Sequence, residues 1–294
     1  SWAGLLVDYM ESSRKRPCRN QAQPSLLRML LFLSACATNY ASGREDRTVS
    51  SYSDETFLAL LDRYVIDESV DYGAWHASAE DMAALDRQVA MIAKVSPKSH
   101  PGLFSDKTSQ NRYWINSYNA LVVDTVLDYW PLESVKDVKL SLTSRLIPGK
   151  GFFYDRDVVV GGRKTNLLKL EKSFLRSQND PRLHFALNCA SGSCPALKSS
   201  DWSEEELVKA SREFVNNPNN VRVEASSIYL NEIFDWYKKE FPRDLYGYLA
   251  QFAEPKLAAQ LKQASAGGYK RRFREYDWTL NDGSDADILP ASGR

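Results

Sequence analysis

Two of the chain's four cysteines and one of its three histidines fall within eleven positions, in His184-Phe185-Ala186-Leu187-Asn188-Cys189-Ala190-Ser191-Gly192-Ser193-Cys194. Thiols beside an imidazole permit two different outcomes. In the first, Cys189 is a nucleophile, His184 its base, and the amide of Asn116 or Asn119 the group that orients the imidazole, the inventory of a thiol hydrolase or transferase. Cys194 is the rival nucleophile: if Pro195 is the first residue of a helix, Cys194 sits at a helix N-terminus, where the dipole lowers a thiol pKa. In the second, Cys189 and Cys194 close a disulfide, and His184 and the asparagines satisfy buried polar groups. The abundant tyrosines and tryptophans then line a groove for a ligand. A metal held by His184, Cys189, Cys194 and Glu171 matches no zinc-ligand spacing, so no metal and no cofactor is expected.

These residues need elements to hold them. Asn116 and Asn119 lie in Asn111-Arg112-Tyr113-Trp114-Ile115-Asn116-Ser117-Tyr118-Asn119-Ala120-Leu121-Val122-Val123. This run is apolar almost all round, so the spacing predicts a helix from Gln110 to Tyr129 buried in the centre of the domain. Three apart, the two asparagines share a face of that helix, and buried amides must find partners. Glu171 lies among Leu167, Leu168, Leu170, Phe174 and Leu175 of a helix capped by Thr165-Asn166. It is either an exposed partner for nearby bases or a buried acid paired with Arg176 or Arg182. The period of Arg182 to Cys189 is ambiguous. As a strand or as a helix it turns His184 and Asn188 the same way, and Cys189 joins them only if the chain turns there.

Elsewhere, Ser53-Asp54-Glu55-Thr56 opens one helix and Ser78 or Glu80 a second, stopped by Ser96-Pro97. Val135 to Ile147 reads as short strands or loop. Gly161-Gly162 marks a hairpin. Trp202-Ser203 starts an acidic-capped helix, and Val221-Arg222-Val223 with Ser227-Ile228-Tyr229-Leu230 reads as a second hairpin. Further helices begin at Ile233 and near residue 244. His76 and His100 read as surface residues, and Arg271-Arg272-Phe273-Arg274 as a solvated face. The class is therefore α+β: a single, mainly helical domain with a small antiparallel sheet. Thirty-eight basic residues balance thirty-eight acidic ones, which leaves no global charge to attract nucleic acid.

The first forty residues differ in character. Arg14, Lys15, Arg16 and Arg19 precede Leu26-Leu27-Arg28-Met29-Leu30-Leu31-Phe32-Leu33-Ser34-Ala35-Cys36. A basic flank, a short apolar run and small residues describe a secretory signal, too short to span a membrane. Leu33-Ser34-Ala35-Cys36 resembles a bacterial lipobox, which makes Cys36 the lipidation site. The expected organisation is a leader over 1–36, a flexible linker over 37–52, a globular domain over 53–285 and a disordered tail over 286–294.

Tyr113-Trp114-Ile115-Asn116-Ser117-Tyr118-Asn119-Ala120-Leu121, Leu170-Glu171-Lys172, Asp180-Pro181-Arg182-Leu183-His184-Phe185-Ala186-Leu187-Asn188-Cys189 and Ser193-Cys194-Pro195 together resemble the family called domain of unknown function 547. Phe234-Asp235-Trp236-Tyr237 and Tyr276-Asp277-Trp278-Thr279-Leu280-Asn281 complete the resemblance, which covers residues 53–285. Family members often carry histidine where this chain has Lys172. The resemblance implies a bacterial secreted or lipid-anchored protein of unassigned activity; by analogy alone, the cysteine, histidine and asparagine set is similar to that of papain-like enzymes. The expected binding residues are Glu171, Arg182, Asn188, Trp114 and Tyr118. The expected function is a non-catalytic module of the bacterial cell envelope, facing the periplasm from the outer membrane. It would bind a peptide, glycan or partner protein, reach the membrane only through the lipid anchor, and use no nucleic acid. The alternative is a cysteine-dependent hydrolase or transferase. An oxidising compartment would favour the Cys189–Cys194 disulfide.

Overall fold

The structure, a computed structural model, describes residues 49–283. The leader, Cys36, most of the linker and the tail lie outside the described residues. The fold is α+β and mainly helical.

The chain enters through α1 (Glu55–Tyr64), whose stripe of Phe57, Leu60, Leu61 and Tyr64 is buried. A minimal hairpin of β1 (Val65–Ile66) and β2 (Ser69–Val70) leads to α2 (Tyr72–Ala77) and α3 (Ala79–Lys94). Ser78 caps α3 by accepting from the Asp81 N–H, as a serine ahead of two acids predicts. His76 falls within α2 and is exposed.

The central element is α4 (Lys107–Asp128), buried on nearly every side, including Trp114, Asn116, Tyr118 and Asn119. The segment Val135 to Ile147 is a 3-10 turn (Val135–Asp137) followed by α5 (Leu142–Leu146), rather than strands. Ser141 and Ser144 cap α5 reciprocally, local bonding that favours a helical turn over an extended one. A π-helical turn follows at Gly151–Asp155. There a Cβ on Gly151 would lie 1.9 Å from the Val138 carbonyl oxygen, so glycine is what lets the two backbones meet. Next come the hairpin β3 (Val158–Val160) and β4 (Arg163–Thr165), turned by Gly161 and Gly162 at positive φ, and α6 (Leu167–Gln178), capped by Asn166.

Residues 181–185 form a 3-10 turn, neither of the two regular forms the period allowed. Then follow α7 (Glu204–Asn216), β5 (Val221–Glu224), β6 (Ser227–Leu230), α8 (Ile233–Trp236), α9 (Leu245–Leu249), α10 (Pro255–Gly267) and β7 (Lys270–Phe273). The strand β6 pairs antiparallel with β5 and parallel with β7. The basic run is thus an exposed edge strand of a mixed sheet.

The apolar side chains separate into two cores. One surrounds α4; the other holds Phe185, Phe214, Phe234 and Phe241 behind the three-stranded sheet. The chain from Pro181 to Pro195 runs along the seam between them: Leu183, Ala186 and Leu187 belong to the first core and Phe185 to the second. Cys189 and Trp278 pack against both.

Candidate functional site

Asn119 fixes the seam segment to α4. Its Nδ2 donates to the Ala186 carbonyl at 3.0 Å, and its Oδ1 accepts from the Asn188 N–H at 2.9 Å. Asn188 then shapes the turn beyond: its Oδ1 accepts from the Ala190 N–H at 2.7 Å and its Nδ2 donates to the Pro195 carbonyl at 2.7 Å. Ala190 takes φ +57°, a left-handed conformation uncommon for a residue with a side chain. It reverses the chain and brings Cys189 and Cys194 together as a disulfide, with Cα atoms 5.9 Å apart, inside the span that a bridge needs. The backbone of 191–193 is held by residues 277–280, through Gly192 N–H to the Thr279 carbonyl and Asp277 N–H to Ser193 Oγ, each at 2.9 Å. That pairing lays the C-terminal strap over the turn and delivers Tyr276 and Trp278.

Between these parts lies a pocket of about 90 Å³. The disulfide and Tyr276 form one wall, with the Tyr276 hydroxyl 3.1 Å from each sulfur. Trp236, Tyr276 and Trp278 cluster with ring centroids 4.6 to 5.7 Å apart. Lys136, Gly149 and Phe153 close another side. The Lys136 ammonium sits 5.3 Å from the centre of the Trp278 ring, within cation–π range.

Glu171 is the buried acid of this pocket, 8% exposed. It has no arginine partner among the described residues. Its oxygens accept from Tyr118 Oη at 3.2 Å and from Tyr237 Oη. Burial pushes the Glu171 carboxyl above its usual range, against the opposing pull of the Tyr237 hydroxyl, His184 and the Tyr118 hydroxyl. Burial, reinforced by the Glu171 charge, raises the phenols of Tyr118 and Tyr237 far above theirs, so both remain donors at neutral pH. His184 also lines the pocket. Its ring packs 4.1 Å from that of Tyr237, and its Nε2 donates to Glu240 Oε2 at 3.0 Å, since a carboxylate can only accept.

The pocket therefore gathers His184, Cys189, Cys194, Glu171 and Tyr118. The other sequence candidates lie elsewhere. Asn116 donates to Asp54 Oδ2 at 2.7 Å and accepts from Trp202 Nε1 at 2.7 Å, an arrangement that ties α4 to α1 and to the start of α7. Arg182 grips Asp180 and Glu204 and does not reach Glu171; the Arg176 side chain lies outside the described residues. Trp114 packs on Tyr113 and Phe174, and Asn188 and Asn119 are spent on backbone. The thiol reading needs a free Cys189 and an orienting amide. Here the sulfur is bonded and neither amide lines the pocket, so the papain analogy rests on composition alone.

Trp236, Tyr237, Glu240, Tyr276, Trp278 and Lys136 were not assigned site roles from sequence. Two aromatic runs, Phe234 to Tyr237 and Tyr276 to Trp278, carried the available signal; nothing in the sequence marks Lys136 or Glu240. Among the described residues no group of three or more histidine, cysteine, aspartate or glutamate side chains could hold a metal ion. No described helix is long and apolar enough to cross a membrane.

Residues 104–215 match the family described as Protein of unknown function, DUF547. No curated protein and no solved structure matches the chain. The matched region contains α4, α6, the seam segment and both cysteines of the pocket, whereas Trp236, Tyr237, Glu240, Tyr276 and Trp278 lie beyond it.

Proposed function

With residues 104–215 matching the DUF547 family, whose description carries no activity, we propose from the pocket's geometry that the chain is a ligand-binding module. The observation that carries this is the buried carboxyl of Glu171 at a concave site walled by aromatic rings. A carboxylate has about four acceptor positions, and the two tyrosines use two of them. Aromatic walls with a few convergent polar groups are what small-ligand sites are made of. At roughly 10–15 Å³ per water centre, the pocket holds several waters, enough for one side chain or terminal group. The ligand is accordingly a peptide inserting a single residue.

Tryptophan emission tests this, because Trp236 and Trp278 line the site. A panel of short peptides, with oligosaccharides run beside it, should contain a member that changes the emission saturably. That response should vanish in the double variant Trp236→Ala/Trp278→Ala, which removes both reporters. A panel with no saturable member, or a response that survives in the variant, sinks the reading.

The second reading, a cysteine-dependent hydrolase or transferase, draws on one observation: His184 and both sulfurs border the same cavity. It requires the reduced form. Two titratable thiols in the isolated domain, together with activity lost in Cys189→Ser, would establish it over the binding reading.

The same proposal places the module in a bacterial envelope, lipid-anchored through Cys36. The support is the Leu33-Ser34-Ala35-Cys36 motif together with a disulfide, which suits an oxidising compartment. Cys36→Ser should move the protein from the membrane to the soluble fraction; unchanged fractionation removes the anchor.

A further inference from the structure

Resting on the binding reading above, we propose that the group the pocket accepts is an alkylammonium, the side chain of a lysine in a peptide. Three independent features point there. The first is Glu171, a carboxyl buried at the pocket with phenol hydroxyls as its bonding partners and no Lys or Arg ion pair among the described residues. A buried carboxylate calls for a compensating cation, and this one has acceptor capacity to spare for an N–H donor.

The second is the wall. Trp236, Tyr276 and Trp278 form a continuous aromatic cluster beside that carboxyl. The π faces of such rings attract an ammonium and also pack against the methylene stem that carries it. A neutral apolar side chain would use the rings and leave the carboxyl with its two phenol donors and no cationic partner. An anionic one would meet Glu171 directly.

The third feature is Lys136, whose ammonium lies over Trp278 at the same pocket. The chain's own lysine shows that this surface accepts an ammonium, and it holds part of the aromatic face that an incoming lysine would use. The acidic and basic groups around the site are Glu171, His184 with its partner Glu240, and Lys136. The ligand's cation would sit against Glu171, and Lys136 would compete with it and repel it.

The test uses the whole protein and two probes of nearly equal shape, Nα-acetyl-lysine methylamide and Nα-acetyl-norleucine methylamide, titrated by calorimetry and tryptophan emission. The lysine probe should bind at least about tenfold more tightly than the norleucine probe, since each tenfold step needs only about 1.4 kcal/mol of discrimination. Glu171→Gln, which keeps the side chain's shape, should abolish that preference. Lys136→Met should tighten the lysine probe several-fold.

Equal affinity for the two probes in the unaltered protein, or a preference for norleucine, overturns the inference and leaves the binding reading intact. So does a site that takes only uncharged sugars. Because the comparison is made on the unaltered protein, it stands even if Glu171→Gln fails to fold. Weaker lysine binding in Lys136→Met also overturns it. A site that binds no peptide and no glycan takes the binding reading down with it.

Discussion

Opening the Cys189–Cys194 bridge is the perturbation whose cost can be worked from the structure. The two residues are separated by 5 positions, so the bridge closes a loop of about six residues. In the chain-entropy account such a loop restricts the unfolded state by roughly 7 cal/mol/K, or about 2 kcal/mol at 25 °C. For a domain of this size about 1 kcal/mol corresponds to roughly 2–4 °C, so reduction should lower Tm by about 4–8 °C. Thermal melts of the unaltered protein with and without a reductant, beside the Cys189→Ser/Cys194→Ser double variant, measure it. The reduced protein and the variant should melt together, both below the oxidised protein, and only the unaltered protein should respond to reductant. A melt indifferent to reductant, with Cys189 and Cys194 themselves titrating as thiols in the folded protein, would refute the bridge and return Cys189 to consideration as a nucleophile.

Three further outcomes follow from particular contacts. Burial, and then the neighbouring Asp128, raises Asp124 to about 6, with Arg156 opposing; a carboxyl raised on folding stabilises most below its unfolded pKa and loses that contribution as pH climbs through its folded one. About 2–3 kcal/mol should therefore disappear between roughly pH 4 and 6, and Asp124→Asn should flatten that part of a stability–pH curve. Gly151→Ala places a Cβ 1.9 Å from the Val138 carbonyl oxygen. It should destabilise by more than about 3 kcal/mol in a urea melt, since backbone on both sides must move. Asn119→Ala strips the Asn188 N–H and the Ala186 carbonyl of their partners; at about 1–3 kcal/mol per orphaned group it should cost about 2–6 kcal/mol and broaden the NMR signals of residues 184–190.

What was legible in the sequence was local. Ser78, Asn166 and Ser203 each cap the helix that their own neighbours begin. Gly161-Gly162 turns a hairpin because only those two residues need the positive φ. The all-round apolar pattern of α4 marked it as central because no exposed face could accommodate it. The period of Arg182 to Cys189 did not show the 3-10 form of Pro181–Phe185, although its start is local, with Asp180 accepting from the Arg182 N–H ahead of Pro181. The parallel seat of β7 on β6 depends on the whole of α8, α9 and α10 folding between them. The pocket follows the same division. His184, Cys189 and Cys194 stand together in sequence, and so were found. The walls that make the cavity come from residues 136, 236 and 276–278, whose approach is set by the C-terminal strap pairing with the 190–193 turn. Asn116 and Asn119 looked alike as neighbouring amides on one helix, yet one faces Asp54 and Trp202 and the other faces the seam.

The cavity beside Glu171 should hold a ligand. The most direct measurement is an NMR titration of the tryptophan indole N–H signals with the lysine probe. Trp75 and Trp202 are fully buried away from the pocket and serve as internal references. The signals of Trp236 and Trp278 should move together along one saturation curve while those of Trp75 and Trp202 stay in place. Saturating shifts confined to Trp75 or Trp202, or none at Trp236 and Trp278 with any peptide tried, would contradict it.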